Sequence, residues 1–312
     1  MDLGTTKMLA RKEGGIGWMT FNQPEKRNAV SYEMWVAIPK IIADFEADPE
    51  VRVIVLTGAG DKAFVSGADI SEFDKKRDRA ETIEIYDKAG SAAQSAIANV
   101  SKPTIAMIRG LCVGGGVAIT LNTDIRICGH DSFFAVPAAR LGLGYRASGI
   151  KRLVDIVGPA FAKEIFFTAN RFTAEDARIM GLVNRVVPAE ELETYVRKYA
   201  ATIADNAPMT IKAAKLAIHA ATQDPDKRET AKINAAIDAC FASEDYIEGR
   251  RAFMEKRRPA FKGSDAHRDT PNASIEDPAS DYPGADGSGG GWSLGQRRGR
   301  SRWTWAHRRW LR

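Results

Sequence analysis

The chain of 312 residues reads as an α/β protein with a helical C-terminal region. Three observations predict this. Apolar, β-branched runs at 15–21, 51–57 and 103–108 alternate with stretches of helical spacing. From Pro159 onward the pattern is almost wholly helical. After Gly263 the composition changes abruptly.

Taken in order, 15–21 is a short strand and 23–29 a polar loop. Ser31 is placed to cap a helix through Met34, Ile38, Ile41 and Ile42 to Phe45. A buried strand at 51–57 is followed by a Gly-Ala-Gly-Asp turn at 58–61 and a loop over 62–73. A polar helix follows around 80–98, then a strand at 103–108, a glycine turn and a helix over 117–121. Short strands are expected at 124–128, 132–135 and 183–187. Thr173 and Asp176 have the spacing of a reciprocal helix cap. Four helices close the folded part, at about 189–205, 208–221, 226–242 and 243–257. The chain divides into a core over 1–200, a helical region over 201–263 and an extension over 264–312.

Composition narrows the function. With 44% hydrophobic residues the chain can bury a full core. No apolar run approaches the roughly 18 residues of a membrane span, and the N-terminus carries no secretory apolar segment. The expectation is a cytoplasmic protein with no membrane partner. Cys112, Cys128 and Cys240 are too scattered for a disulfide framework or a metal cluster, and read as reduced thiols. Four histidines make a His-rich metal site unlikely ground, and no metal is expected. A net charge of +5 does not argue for nucleic acid. The extension interleaves Arg and Trp from Gln296 to Arg312, a composition able to stack on bases and pair with phosphates. A disordered extension without a selected role is the alternative taken here.

The chemistry centres on Gly114-Gly115-Gly116, between the run ending at Val113 and the helix that follows. The first amides of a helix have no intrahelical acceptor and lie at the positive end of its dipole. Such a turn suits a phosphate or the oxyanion of a thioester carbonyl. A phosphate-binding Walker loop would need Lys-Ser/Thr after the last glycine, where Val117-Ala118 stands. A dinucleotide fingerprint would need Gly-x-Gly-x-x-Gly in a first βαβ unit, and this run begins beyond residue 110.

Four segments together, Gln23-Pro-Glu-Lys-Arg-Asn-Ala29, Ser66-Gly-Ala-Asp-Ile70, the glycine turn and Ala252-Phe-Met-Glu-Lys-Arg257, resemble the enoyl-CoA hydratase/isomerase (crotonase) superfamily over about residues 5–263. The resemblance implies a ββα superhelix with a C-terminal helical trimerisation region, assembled as a homotrimer or hexamer. It implies an acyl-CoA substrate and no separate cofactor. By position Ala68 and Gly115 resemble the two amide donors of an oxyanion hole. Lys26 and Lys62 resemble residues near the CoA phosphates and adenine, with Ser66, Asp69 and Ile70 in the same binding loop. Phe253 and Lys256 resemble residues that reach the CoA from a neighbouring subunit.

The chain departs from the family at two positions. Ala118 stands two residues after the last glycine, and Ala138 after the proline of Phe134-Ala-Val-Pro137, where the hydratases carry glutamates. Those carboxylates hold water and move protons, which alanine cannot do. Tyr145 and Arg146 lie where relatives place working side chains, and an arginine there would favour a carboxylated acyl group. Arg140 and His130 are weaker candidates, while Asp69 and Glu72 read as loop-stabilising acids. The expected activity is enolate chemistry on an acyl-CoA, nominally hydration or isomerisation. The alternatives are decarboxylation or hydrolysis of a carboxylated acyl-CoA, or a CoA-thioester binder with little catalysis.

Overall fold

Two sheets carry the architecture, and successive chain segments feed them alternately. The computed structural model describes residues 1–69 and 80–263. Ile70, Glu72 and the extension 264–312 lie outside the described residues. All described residues belong to one compact unit, Met1–Asp269.

The first sheet runs β1 (Met8–Glu13), β2 (Ile16–Phe21), β3 (Val53–Gly58), β5 (Thr104–Ile108), β7 (Ile125–Gly129) and β10 (Arg185–Val187). Its first pair is antiparallel, closed by Gly14 and Gly15 at positive φ, and the rest is parallel. The second sheet runs β4 (Ala63–Val65), β6 (Leu111–Val113), β8 (Phe133–Ala135) and β9 (Phe172–Thr173). The chain thus gives β3 then β4, β5 then β6, and β7 then β8, one strand to each sheet per turn. A helix follows each pair: α2 (Ala80–Asn99), α3 (Gly115–Thr120), then α4 (Ala138–Leu141) and α5 (Ala147–Thr168). This is three turns of a ββα superhelix.

Parity along the strands sorts the core into two faces. Ile54 and Leu56 face the larger cluster with α1 (Tyr32–Ala47), where Met34, Ile38, Ile41 and Phe45 are fully buried. Val53, Val55, Ile105 and Ile127 face the other way, onto Leu192, Val196 and Ala200 of α7 (Leu192–Ala204). Both faces of a parallel sheet are therefore covered, which accounts for its unbroken apolar strands. A capping box on Thr173 and Asp176 opens α6 (Ala174–Ile179), as the spacing predicts. The chain ends in α8 (Pro208–Ala221), α9 (Thr230–Phe241) and α10 (Glu244–Glu255).

Several sequence expectations need correction. Residues 62–73 were expected as loop, yet 63–65 form β4 because Ala63 and Val65 pair with β6. Neither β1 nor β6 was anticipated; three-residue strands such as β6 are stabilised by distant partners and leave little local periodicity. The helix after the glycine turn begins at Gly115 rather than Val117, so two of the three glycines are helical.

Candidate active site

Three backbone segments meet beside the glycine turn. The loop after β2 is held by Asn28, which is fully buried. Its side-chain oxygen accepts from the Gln23 amide at 3.0 Å. Its side-chain nitrogen donates to the carbonyls of Ala59 at 2.9 Å and Ala63 at 2.8 Å. One side chain thereby ties this loop to the end of β3 and the start of β4. Arg27 and Asn28 both have positive φ, 53° and 55°, a tight turn that these hydrogen bonds hold in place.

The loop after β4 zips onto the same segment. Ser66 N donates to the Arg27 carbonyl at 3.1 Å and Ser66 Oγ to the Lys26 carbonyl at 3.3 Å. Val30 N donates to Gly67 O at 2.8 Å, and Asp69 N to Val30 O at 3.0 Å. This is a parallel bridge between Val30 and Ala68. In a parallel bridge the bonds from Val30 go to the neighbours of its partner, so the amide of Ala68 itself faces the opposite side. On that side stands Gly115. A β-carbon at Gly115 would lie 3.7 Å from the Gly67 carbonyl carbon and 3.8 Å from the Ala68 nitrogen.

The turn itself is set by Gly114 at φ 52°, the N-cap of α3, whose amide donates to Ala135 O at 2.9 Å. The first intrahelical bond is Ala118 N to Gly114 O, 3.0 Å. Gly115 N therefore precedes the ladder. Among the described residues neither Ala68 N nor Gly115 N donates to another backbone group. Gly116 lets α3 press onto β4: a β-carbon there would meet Val65 O at 2.4 Å.

Beside the turn lies a narrow, apolar-walled cavity of about 30 Å³, bounded by Gly114, Val117, Ala118, Val136, Tyr145 and Phe166. Ala118 faces it; Ala138 is buried at the start of α4 and is not part of its wall. The Tyr145 ring packs edge-on against Phe166 with centroids 5.0 Å apart. Burial raises the Tyr145 phenol above its ordinary pKa, which keeps it protonated as a donor. Burial also drives the Cys112 thiol strongly upward and the Cys128 thiol up to about 12, so neither is a nucleophile near neutral pH.

The remaining expected site residues are spread out. Lys26 Nζ pairs with Asp69 Oδ2 at 2.8 Å, which also receives Gln23 Nε2 at 3.4 Å. Lys62 is exposed at the edge of β4, its carbonyl accepting from Leu111 N at 3.1 Å. Arg146 caps α5 and turns to Asp87 at 3.2 Å, with a side chain 79% exposed, outside the cavity wall. Arg140 bonds Asn170 at 3.0 Å, and His130 Nδ1 accepts from Ala189 N at 3.1 Å; both are exposed. Phe253 is 70% exposed on α10, and Lys256 is its C-cap at φ 54°. Sequence reasoning missed Gln94, Asn122 and Arg152, which also line the cavity. For Arg152, its spacing within α5 from Gly149 carries that signal.

A family model described as "Enoyl-CoA hydratase/isomerase" matches residues 11–264. The chain belongs to the enoyl-CoA hydratase/isomerase family. It is 35% identical over 253 residues to the short-chain-enoyl-CoA hydratase of Clostridium acetobutylicum, covering 80% of this chain and 95% of that protein. It is 34% identical over 257 residues to the carnitinyl-CoA dehydratase of Escherichia coli O157:H7, covering 81% and 97%. The crystal structure of an enoyl-CoA hydratase/carnithine racemase from Magnetospirillum magneticum superposes with a TM-score of 0.78 at 33% identity, covering 83% of this chain and 97% of that one. The crotonase-type ββα superhelix follows from this likeness and from the strand order above. Enzymes of this family are lyases and isomerases, and this chain is placed among them. Among the described residues no helix is long and apolar enough to cross a membrane, and no group of three or more metal-capable side chains occurs.

Proposed function

We propose that this enzyme binds an acyl-CoA and stabilises its thioester enolate with the amides of Ala68 and Gly115. One observation supports the reading: the Gly67–Ala68 backbone lies against Gly115 at the start of a helix, and among the described residues neither the Ala68 nor the Gly115 amide donates to another backbone group. A thioester oxygen placed between them gains two preorganised donors as negative charge develops on it. Its acyl chain then enters the cavity past Ala118.

Without carboxylates at Ala118 and Ala138, neither position can activate water or protonate the α-carbon. Decarboxylation of a carboxylated acyl-CoA needs only the enolate hole. The bond to the carboxylate breaks, carbon dioxide leaves, its electron pair enters the enolate, and the α-carbon takes a proton. We assign Tyr145, in the cavity wall, to supply it and to be reprotonated from solvent. Lys26 and Lys62 are assigned to the CoA phosphates and adenine. Phe253 and Lys256 are assigned to a CoA bound by a neighbouring subunit. Exposed apolar side chains on the last helices, among them Phe241 at 62%, Phe253 at 70% and Met254 at 79%, support a trimeric or hexameric assembly.

The test follows the conjugated absorbance of crotonyl-CoA, in parallel with carbon dioxide release from malonyl-type thioesters. We expect slow hydration by the wild type and a gain with Ala118→Glu/Ala138→Glu. Fast hydration by the wild type would defeat the carboxylate argument. Tight binding with no turnover of either substrate would make the protein a CoA-thioester binder.

A further inference from the structure

Among the described residues, Arg152 is a cation of the site that makes no hydrogen bond or close ion pair, with Asp155 as its electrostatic neighbour. It stands in the second turn of α5, half-buried, in the wall of the acyl cavity. No Asp or Glu is among the described residues that line that cavity. On its other side Arg152 borders a larger groove of about 1950 Å³ against α8, where other cations gather.

Each of those other cations is satisfied. Lys151 pairs with Asp155 at 2.7 Å, Lys215 with Asp124 at 2.7 Å and Lys227 with Asp224 at 2.9 Å. Buried Arg126 donates to the carbonyls of Leu182, Thr120 and Thr123 at 2.7–3.2 Å. Arg152 makes no hydrogen bond or ion pair among the described residues, although Asp155 lies one helical turn ahead of it. A half-desolvated guanidinium whose nearby Asp155 is paired with Lys151 keeps its planar donors open, and they match a carboxylate. Ala118 stands in the same wall, and none of its described residues is an acid.

We propose that Arg152, rather than Arg146, receives a second carboxylate at the far end of the acyl group, so that the preferred ligands are dicarboxylic acyl-CoA thioesters. This rests on the thioester lying against Ala68 and Gly115, as argued above. It makes Arg152 a specificity residue in the wall of the cavity. It also predicts exclusion of acyl groups ending in a trimethylammonium cation, because like charges would meet without water between them.

The experiment is calorimetric titration of the full chain with malonyl-, succinyl- and butyryl-CoA, and with the methyl ester of succinyl-CoA. A carboxylated thioester should bind at least about tenfold tighter than both neutral ones, the worth of one charged hydrogen bond. Arg152→Gln should erase that preference. Arg152→Lys should retain part of it, and Arg146→Ala all of it. Equal affinities for succinyl-CoA and its methyl ester in the wild type overturn the proposal, whatever the folding of the variants. A preference that survives Arg152→Gln overturns it as well. If no thioester binds, butyryl-CoA included, the oxyanion reading falls first; if butyryl-CoA binds but no preference exists, only the role of Arg152 falls.

Discussion

Gly115 and Ala68 meet backbone to backbone: a methyl group added to Gly115 would stand 3.8 Å from the Ala68 nitrogen and 3.8 Å from the Trp35 ring. Both are ordinary van der Waals distances. The fold therefore has room for that methyl, which is expected to crowd a substrate oxygen held between the two amides. Gly115→Ala should melt close to the wild type yet lose turnover by at least about 100-fold, comparable to loss of one oxyanion donor. Differential scanning calorimetry and steady-state kinetics on the same preparation decide this. Retained turnover would leave the pair of amides without a catalytic role.

Gly116→Ala should fail in the opposite way. Its β-carbon would lie 2.4 Å from the Val65 carbonyl oxygen, which is backbone of β4 and cannot swing aside. Relief requires α3 to lift off the strand, at a cost of about 1–3 kcal/mol. A lowered melting temperature is the expected readout, and an unchanged one would show that α3 slides freely.

The bridge that aims Ala68 is held from behind. Trp35 Nε1 donates to Tyr86 Oη at 2.9 Å, and Tyr86 Oη donates to the Val30 carbonyl at 3.1 Å. Trp35 and Tyr86 are both buried. Tyr86→Phe leaves the indole donor without this acceptor, which should lower stability by about 1–3 kcal/mol. It should also reduce kcat more than it raises KM, since the bound thioester is held but the Ala68 amide is less well aimed. Equal kinetics in the two proteins would confine the network to folding.

Asn28→Ala removes three hydrogen bonds and places a β-carbon residue without a compensating side chain at φ 55°. The carbonyl of Ala63 and the amide of Gln23 are left buried. A loss of at least about 2 kcal/mol in denaturant unfolding is expected. Asn28→Asp should be no better, because a carboxylate cannot donate to the two carbonyls.

Glu248 offers a pH test remote from the site. Its carboxylate receives Arg257 at 2.5 and 2.8 Å, Arg251 at 2.7 Å and the Ala260 amide at 3.0 Å. These partners, Arg257 foremost, hold its pKa well below the usual carboxylate range. A depressed folded-state pKa contributes stability above the unfolded value, about 4.3, and that contribution is lost as pH falls below it. Glu248→Gln should thus melt below the wild type near neutral pH, with the gap narrowing toward pH ~3. A gap that stays constant would assign the effect to packing.

The glycine turn, the strand–helix alternation and the alanines at 118 and 138 were legible in the chain alone, because each is a local fact of residue type or spacing. So was the Thr173–Asp176 cap, which needs only three residues of separation. Tertiary structure decided the rest. β4 and β6 are too short to announce themselves and exist through each other. The direction of the Ala68 amide depends on a bridge to Val30, 38 positions away. The sequence points to Arg146 and passes over Arg152, yet Arg146 sits at the helix cap facing Asp87 and Arg152 lines the cavity. Which side of a helix meets the cavity is set by what the helix packs against, and packing partners are long-range quantities that spacing along the chain does not carry.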